Sequence, residues 1–161
     1  MEPATERVGG DGLHAAAAGG GAERLAAAGR GFHAENGYGG GSEQAGAVHA
    51  LCPGPSLGLA WLFADARGRG VGYALAHWRH SVDHGGRVAV LDDLWIEPGL
   101  RGRGSGTQPL RVALAGMERA GARAVIAEAD PADAAAMAFY RRLGFAPKGT
   151  ALLVGALPGG R

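Results

Sequence analysis

Residues 91–106 read L-D-D-L-W-I-E-P-G-L-R-G-R-G-S-G, and the succession of residue types in this stretch decides the fold. Leu91, Leu94, Trp95 and Ile96 make an apolar run that reads as a strand, and Pro98-Gly99 ends it. A turn rich in arginine and glycine follows. From Thr107 to Ala120 apolar residues at 110, 113, 114 and 117 trace one helical face. A strand that delivers a glycine turn to a helix N-terminus is a site for an anion. The helix end carries unpaired N–H groups and the positive end of its macrodipole, and glycines let a phosphate approach the backbone. Asp92 and Asp93 lie on the same strand. One segment thus offers an anion cradle beside an acidic site, an arrangement suited to two substrates meeting.

Working outward, Arg123 to Ala129 reads as a short strand and Ala132 to Leu143 as a helix closed by Gly144. Extended segments near Phe145 and from Ala151 to Leu157 are expected to finish the chain. On the other side, Gly58 to Asp65 and Val71 to Trp78 alternate apolar and other residues, with 66–70 as a hairpin connection. With Arg87 to Glu97 as the third strand, they make an antiparallel meander. Ala22 to Asn36 is a helix bearing Leu25, Ala28 and Phe32, with Gly37 at its end. Ser42 to about Leu51 is read as a second helix, stopped by Cys52-Pro53-Gly54-Pro55. Glu6-Arg7-Val8 suits a short first strand, but residues 1–20 are broken by glycine and are expected to be the least ordered. The alternation of strand and helix in the second half gives an α/β (α+β) layered domain, and 161 residues suit one domain, 1–161, firmest over 58–157.

The charge balance is close to even, 16 basic against 15 acidic side chains for a net +1. No global field or basic stripe with interleaved aromatics favours nucleic acid, and no run approaches membrane-spanning length. Cys52 is the single cysteine, so no intramolecular disulfide forms and a cytoplasmic setting is the simple expectation. His77, His80 and His84 lack the spacing of a zinc site, and no metal is expected.

Arg101-Gly102-Arg103-Gly104-Ser105-Gly106 fits R/Q-x-x-G-x-G/A and is neither a Rossmann fingerprint nor a P-loop. Alone it reads equally as a flexible loop in a chain with 31 glycines. About 35 residues on, D-A-A-A-M-A-F-Y-R-R-L-G-F spans Asp133 to Phe145. The two motifs in this order resemble the GNAT superfamily of acyl-CoA-dependent N-acetyltransferases. V-G-Y-A-L-A-H-W, L-D-D-L-W-I and H-A-E-N-G-Y are similar to the same family. The resemblance runs from about Ala22 to Leu157.

What the resemblance implies is a mixed, mostly antiparallel sheet, splayed at the cofactor cleft and flanked by helices. Arg101, Gly102, Arg103, Gly104, Ser105 and Gly106 would hold the pyrophosphate of acetyl-CoA, the co-substrate, with Asp133 and Ala136 as further cofactor contacts. The pantetheine arm would pair with the splayed strand, and an N–H near Trp95 or Ile96 would polarise the thioester carbonyl. Tyr140 would protonate the departing thiolate; the plainer alternative is a half-buried aromatic with a satisfied hydroxyl. The acceptor must lose a proton to become nucleophilic, so a carboxylate nearby is expected. Asp92 and Asp93 are the candidates for holding a cationic amine. Strand alternation allows only one to face the site and favours Asp92, through Leu94 and Ile96. An edge carboxylate paired with arginine is the competing account. Glu97 is a second base candidate, and Glu35 a candidate for the acceptor pocket wall.

Three residues depart from the family pattern. Ser105 replaces an apolar residue, Asp133 an asparagine, and Pro109 lies in the expected helix, where it is tolerated only within the first turn. The leading expectation is acetyl transfer to a primary amine of a small molecule by direct attack in a ternary complex. A non-catalytic acyl-CoA-binding module, favoured by Pro109 and Asp133, and a protein or peptide N-acetyltransferase are the alternatives. Nucleic acid and membrane are not expected partners, and a homodimer is left open.

Overall fold

The computed structural model describes residues 5–7, 14–17, 22–35, 37, 57–102 and 104–155. The chain divides into two compact units, Met1–Glu128 and Ala129–Arg161. No helix among the described residues is long and apolar enough to cross a membrane.

The first unit is built on one six-stranded sheet whose spatial order follows the chain. Its strands are β1 (Thr5–Arg7), β2 (His14–Ala17), β3 (Gly58–Ala64), β4 (Gly70–Ser81), β5 (Gly86–Ile96) and β6 (Val125–Ala127). Neighbours are antiparallel up to β5, and β6 runs parallel to β5. The class is therefore α+β with a mixed, mostly antiparallel sheet, as the resemblance implies. The β4–β5 hairpin is longer than its sequence suggests, because the polar stretch 80–86 shrinks to a turn at 82–85. The strands β1 and β2 pair as a hairpin, and β2 pairs with β3.

Helix α1 (Ala22–Glu35) packs on one face of the sheet. Its Leu25 joins Leu62, Tyr73 and Leu75 in a cluster that Ala28, Phe32, Ala60 and Trp95 complete. Tyr73 and Leu25 are wholly buried there. Helix α2 (Thr107–Arg119) approaches β2 and β3, with Gly116 against the Trp61 ring. Trp61 follows the opposite pleat from Leu62, so the two helices cover opposite faces. The helix preceding Cys52 that was expected from Ser42 lies outside the described residues, as does Cys52 itself.

Pro109 finds its explanation in where α2 begins. Gly106 is the N-cap and Thr107 the first helical residue, so Pro109 stands in the first turn. Its missing N–H would have had no intrahelical partner there, and the carbonyl it would strike belongs to Ser105, outside the helix. The first full helical bond, Leu110 N–H to Gly106 O at 3.2 Å, forms one residue later.

The second unit holds α3 (Ala134–Arg142). Its start is capped by Asp133, whose carboxylate accepts from the N–H groups of Ala135 and Ala136 at 3.0 and 2.9 Å. Its end is a Schellman closure. Gly144, at φ +89°, donates to Arg141 O, and Phe145 donates to Tyr140 O. Residues 145–155 form no strand, contrary to the extended segments expected near Phe145 and from Ala151; residues 156 and 157 are outside the described set. Leu152, Leu153 and Val154 are exposed, so that stretch has β-prone side chains without a partner strand to order them.

Candidate active site

The strand β5 carries the site. Its parallel pairing with β6 covers only Ala89, Val90 and Leu91, while the strand itself runs on to Ile96. Beyond Leu91 one edge of β5 is therefore without β6. The phase of the ladder tells which backbone groups face that edge. Glu97 N–H donates to Val71 O at 2.9 Å, and antiparallel bonding recurs at every second residue. Trp95 and Asp93 therefore direct their N–H groups to β4, whereas Leu94 and Ile96 direct theirs to the open side. Of the two N–H donors named from sequence, Ile96 is on the open edge and Trp95 is not.

The turn after β5 starts with a short 3-10 segment, Pro98–Leu100, and then passes through Gly102 and Gly104, both near φ +78°. This left-handed backbone is where glycine is needed, since a Cβ would be strained there. Thr107 N–H is taken by Gly104 O at 2.9 Å. Among the described residues, the N–H groups of Ser105, Gly106 and Gln108 have no backbone acceptor. Those donors, together with the start of α2, meet the requirements for an anion. Ser105 is buried in the turn, and Arg103 lies outside the described residues.

The acidic side chains sort themselves differently from simple alternation. The β4–β5 register shifts between Leu75, opposite Asp93, and Ala76, opposite Leu91. Asp92 is thus the extra residue of a β-bulge, and it is exposed. The bulge breaks the alternation that linked Asp92 to Leu94 and Ile96. Asp93 lies opposite Leu75 and two residues from Trp95, on the face covered by α1. Its Oδ2 accepts a 2.8 Å hydrogen bond from the Tyr73 hydroxyl. Burial first, and then the Asp93 and Asp92 charges, drive the Tyr73 phenol far above its ordinary range. It is a permanent donor to that carboxylate. Nothing in the residue pattern announced Tyr73 as Asp93's partner, because the contact depends on the bulge.

Glu97 accepts from Arg69 Nη1 at 2.8 Å, and Arg69 also bonds Asp65 at 3.2 Å. This exposed network ties the β3–β4 connection to the end of β5. Glu35, at the last turn of α1, receives both terminal nitrogens of Arg101, with Nη2 to Oε2 at 2.7 Å, and the indole N–H of Trp95 at 2.9 Å. The Arg101 and Trp95 hydrogen bonds hold its carboxyl down at about 2. Arg101 also donates through Nε to Ile96 O at 2.7 Å. His84 shares a 2.9 Å hydrogen bond with Ser81 in the β4–β5 turn, and His77 and His80 lie on β4. Among the described residues no group of three His, Cys, Asp or Glu side chains could hold a metal.

In the second unit, Tyr140 lies between Phe139 and Phe145, each ring centroid 5.4 Å away in an edge-on arrangement. Burial raises its phenol above the ordinary value, so it is protonated at neutral pH. Asp133 is engaged as the α3 cap, and the Ala136 N–H is one of the donors that cap consumes.

A sheet opened along β5, a glycine turn on its end and a helix N-terminus behind it define an acyltransferase of the GNAT type. The chain belongs to the Acetyltransferase (GNAT) family, whose profile matches residues 32–145. Among solved structures, an integron cassette protein from the mobile metagenome of Cole Harbour Salt Marsh is 30% identical, with 88% of each chain covered and a TM-score of 0.74. The fold is also that of an aminoglycoside acetyltransferase from an uncultured soil metagenomic sample, solved with sisomicin, at 15% identity, coverage of 91% and 97%, and a TM-score of 0.78. The aminoglycoside acetyltransferase AAC(6')-Iy, solved with the bisubstrate analogue CoA-S-monomethyl-acetylneamine, is 16% identical with coverage of 91% and 99% and a TM-score of 0.76. No curated protein matches the chain.

Proposed function

We propose that this protein transfers acetyl from acetyl-CoA to a primary amine of a small molecule by direct attack in a ternary complex. The observation that carries this reading is the open edge of β5 running straight into the turn at 101–106. Among the described residues, no backbone acceptor takes the N–H groups of Leu94, Ile96, Ser105, Gly106 or Gln108, and a ligand with an amide-bearing arm and a pyrophosphate requires such donors. Acetyl-CoA supplies the reaction with an activated acyl carbon: the amine nitrogen bonds to it, the C–S bond breaks, and the thiolate leaves with the sulfur electron pair. The Ile96 N–H is the proposed donor to the acyl oxygen, where negative charge develops. Tyr140 is the proposed acid, giving its phenolic proton to the thiolate; burial raises its pKa and keeps it in the protonated form that can donate.

Asp93 is the proposed anchor for a cationic acceptor. It is half-buried, ionisable, and oriented by Tyr73, whereas Asp92 is exposed in the bulge. The acceptor's excess proton leaves through water, with Glu97 as the candidate base named from sequence, although its carboxylate is already paired with Arg69. The two structural neighbours with aminoglycoside names make polycationic amino sugars the first class to try. Pro109 in the first turn of α2 answers one of the two reasons for preferring a non-catalytic module, and Asp133 has a structural role as the cap of α3. The test is calorimetric titration with acetyl-CoA followed by free-thiol release against a panel of amino sugars, polyamines, amino acids and peptides. Binding with turnover on a small amine is the expected result. Absence of binding at millimolar acetyl-CoA defeats the proposal, binding without turnover favours the acyl-CoA sensor, and turnover on peptides alone favours a protein acetyltransferase.

A further inference from the structure

We infer that Glu35 is a positioning residue for the coenzyme A turn, acting through Arg101, and is not a ligand of the amine. The inference rests on the reading that this turn receives coenzyme A. The Arg101 guanidinium is used on two sides: its terminal nitrogens form a fork on both Glu35 oxygens, and Nε reaches Ile96 O at 2.7 Å. Such a planar fork fixes the orientation of its carrier as well as its distance. Arg101 is the first residue of the turn after Leu100, and Ile96 is the last of β5. Holding Arg101 therefore sets the angle at which the turn leaves the strand, and with it the direction of the N–H groups of Ser105, Gly106 and Gln108, which have no backbone acceptor among the described residues.

The Glu35 carboxylate is also bound by the Trp95 indole at 2.9 Å, and Trp95 is braced by α1, where Gly31 leaves room for its ring. One carboxylate thus joins the end of α1, the end of β5 and the start of the turn. With three donors already on it, an ammonium could bind only by displacing them. The pair also carries no net charge. Arg101, which from sequence alone looks like a cation offered to phosphate, has that charge offset by its partner. Among the described residues of the turn, attraction for the anion falls to the backbone donors. The pair is well exposed, with side chains 42% and 39% accessible, and exposed ion pairs add little to stability. Its consequence is geometric.

Calorimetric titration of the full chain with coenzyme A tests this, using Glu35→Gln, Arg101→Lys, Arg101→Gln and the double variant Glu35→Gln/Arg101→Gln. All should melt close to the wild type. Glu35→Gln should weaken coenzyme A about tenfold, as loss of placement does. Arg101→Lys should be as weak as Arg101→Gln, since an ammonium cannot fork onto the carboxylate and still reach Ile96 O. The double variant should be no weaker than the worse single one. The amine KM should stay put in Glu35→Gln. Tighter coenzyme A binding in Glu35→Gln would overturn the inference, because Arg101 would then be a phosphate ligand restrained by Glu35. Wild-type affinity in Arg101→Lys would also overturn it, as would a raised amine KM at unchanged coenzyme A affinity. If Glu35→Gln does not fold, Glu35→Asp carries the same test, keeping the charge while shortening the fork. A wild-type protein that ignores coenzyme A defeats the proposed function and this inference with it, whereas a binding wild type with indifferent variants defeats the inference alone.

Discussion

Two glycines in α1, two residues apart, should respond to the same substitution in opposite directions. An alanine Cβ at Gly29 would meet the Tyr73 hydroxyl oxygen at 3.6 Å and Cζ at 3.9 Å, ordinary contact distances. At Gly31 it would lie 2.7 and 2.8 Å from Trp95 Cζ2 and Cη2, far inside van der Waals contact. Both changes gain about 1 kcal/mol from helix propensity, and both reduce unfolded-chain freedom equally, so that part cancels in the comparison. Gly29→Ala should therefore stabilise by about 1 kcal/mol, a rise of about 2–4 °C in Tm for a chain of this size. Gly31→Ala adds an overpacking cost of about 1–3 kcal/mol, because the Trp95 ring is braced by the core cluster and its N–H is held by Glu35. Its net effect runs from about zero to a loss of about 2 kcal/mol, and the two variants should differ by about 2–12 °C. Differential scanning calorimetry of both proteins under one buffer reads this directly. If Gly31→Ala is as stabilising as Gly29→Ala, α1 does not approach Trp95 as described, and the brace on the Glu35 fork goes with it.

Once an acceptor is in hand, Asp93→Asn should lower kcat/KM for the amine by about 30-fold, equivalent to about 2 kcal/mol, while Asp92→Asn stays within about twofold. Equal losses in steady-state kinetics would show that the bulge does not separate their roles. Tyr73→Phe removes one charge-assisted hydrogen bond, so about 1.5 kcal/mol or roughly tenfold in amine kcat/KM is expected, with the acetyl-CoA KM unmoved. A shift in the acetyl-CoA KM instead would place Tyr73 in the wrong half of the reaction. Tyr140→Phe should reduce kcat by about 10²-fold with coenzyme A affinity within about twofold; a large loss of affinity would assign Tyr140 to binding. The Glu35 carboxyl titrates at about 2 in the folded chain against an ordinary 4.5. A depressed carboxyl contributes its stability above the unfolded value and loses it as pH falls toward the folded one. In carboxyl NMR titration of the folded chain Glu35 should accordingly stay ionised as pH falls past 4.5 toward 2, with little change in stability because the pair is exposed, and a midpoint at the ordinary 4.5 would contradict the fork.

The strands and helices of 58–142 were legible because alternation and helical spacing are properties of neighbouring residues, which a sequence displays. Gly106 and Pro109 together mark the start of α2, where the residue pattern required Pro109 to fall within the first turn. The hairpin of β1 and β2 was only half visible. Residues 14–17 are a histidine and three alanines, with little strand preference, and they are extended because Trp61 to Ala64 supply the partner. The opposite holds for 151–155, where strand-prone residues meet no strand. At the site, the turn and the strand could be read, but the choice between Asp92 and Asp93 could not. A bulge is an event of pairing, and one inserted residue inverts every parity argument downstream of it. Glu35 and Arg101 are 66 residues apart, so their fork had no local signature either.

The bulge reconciles two demands on β5 that a regular strand would put in conflict. From Leu91 onward the strand must present backbone donors to the open edge and an acidic side chain to the face of α1. In an unbroken ladder Leu91 and Asp93 would share a face, and Leu91 is needed in the core, where it is buried. Inserting Asp92 lets Leu91 stay there while Asp93 turns to Tyr73 and Trp95 turns to Glu35. The same step leaves the N–H groups of Leu94 and Ile96 facing the edge that β6 has vacated. The acidic anchor, the proposed acyl-oxygen donor and the brace for the anion turn are then placed by one backbone irregularity. It follows that removing the inserted residue should restore a regular ladder without turning either neighbour to a new face. With Asp92 deleted, Leu91 and Asp93 would be adjacent, still opposite Ala76 and Leu75 and still on opposite faces, so the deletion, like Asp92→Asn, should leave amine kcat/KM close to the wild type. A deletion variant that folds but loses amine kcat/KM as Asp93→Asn does would show that the parity of β5 does not govern the site.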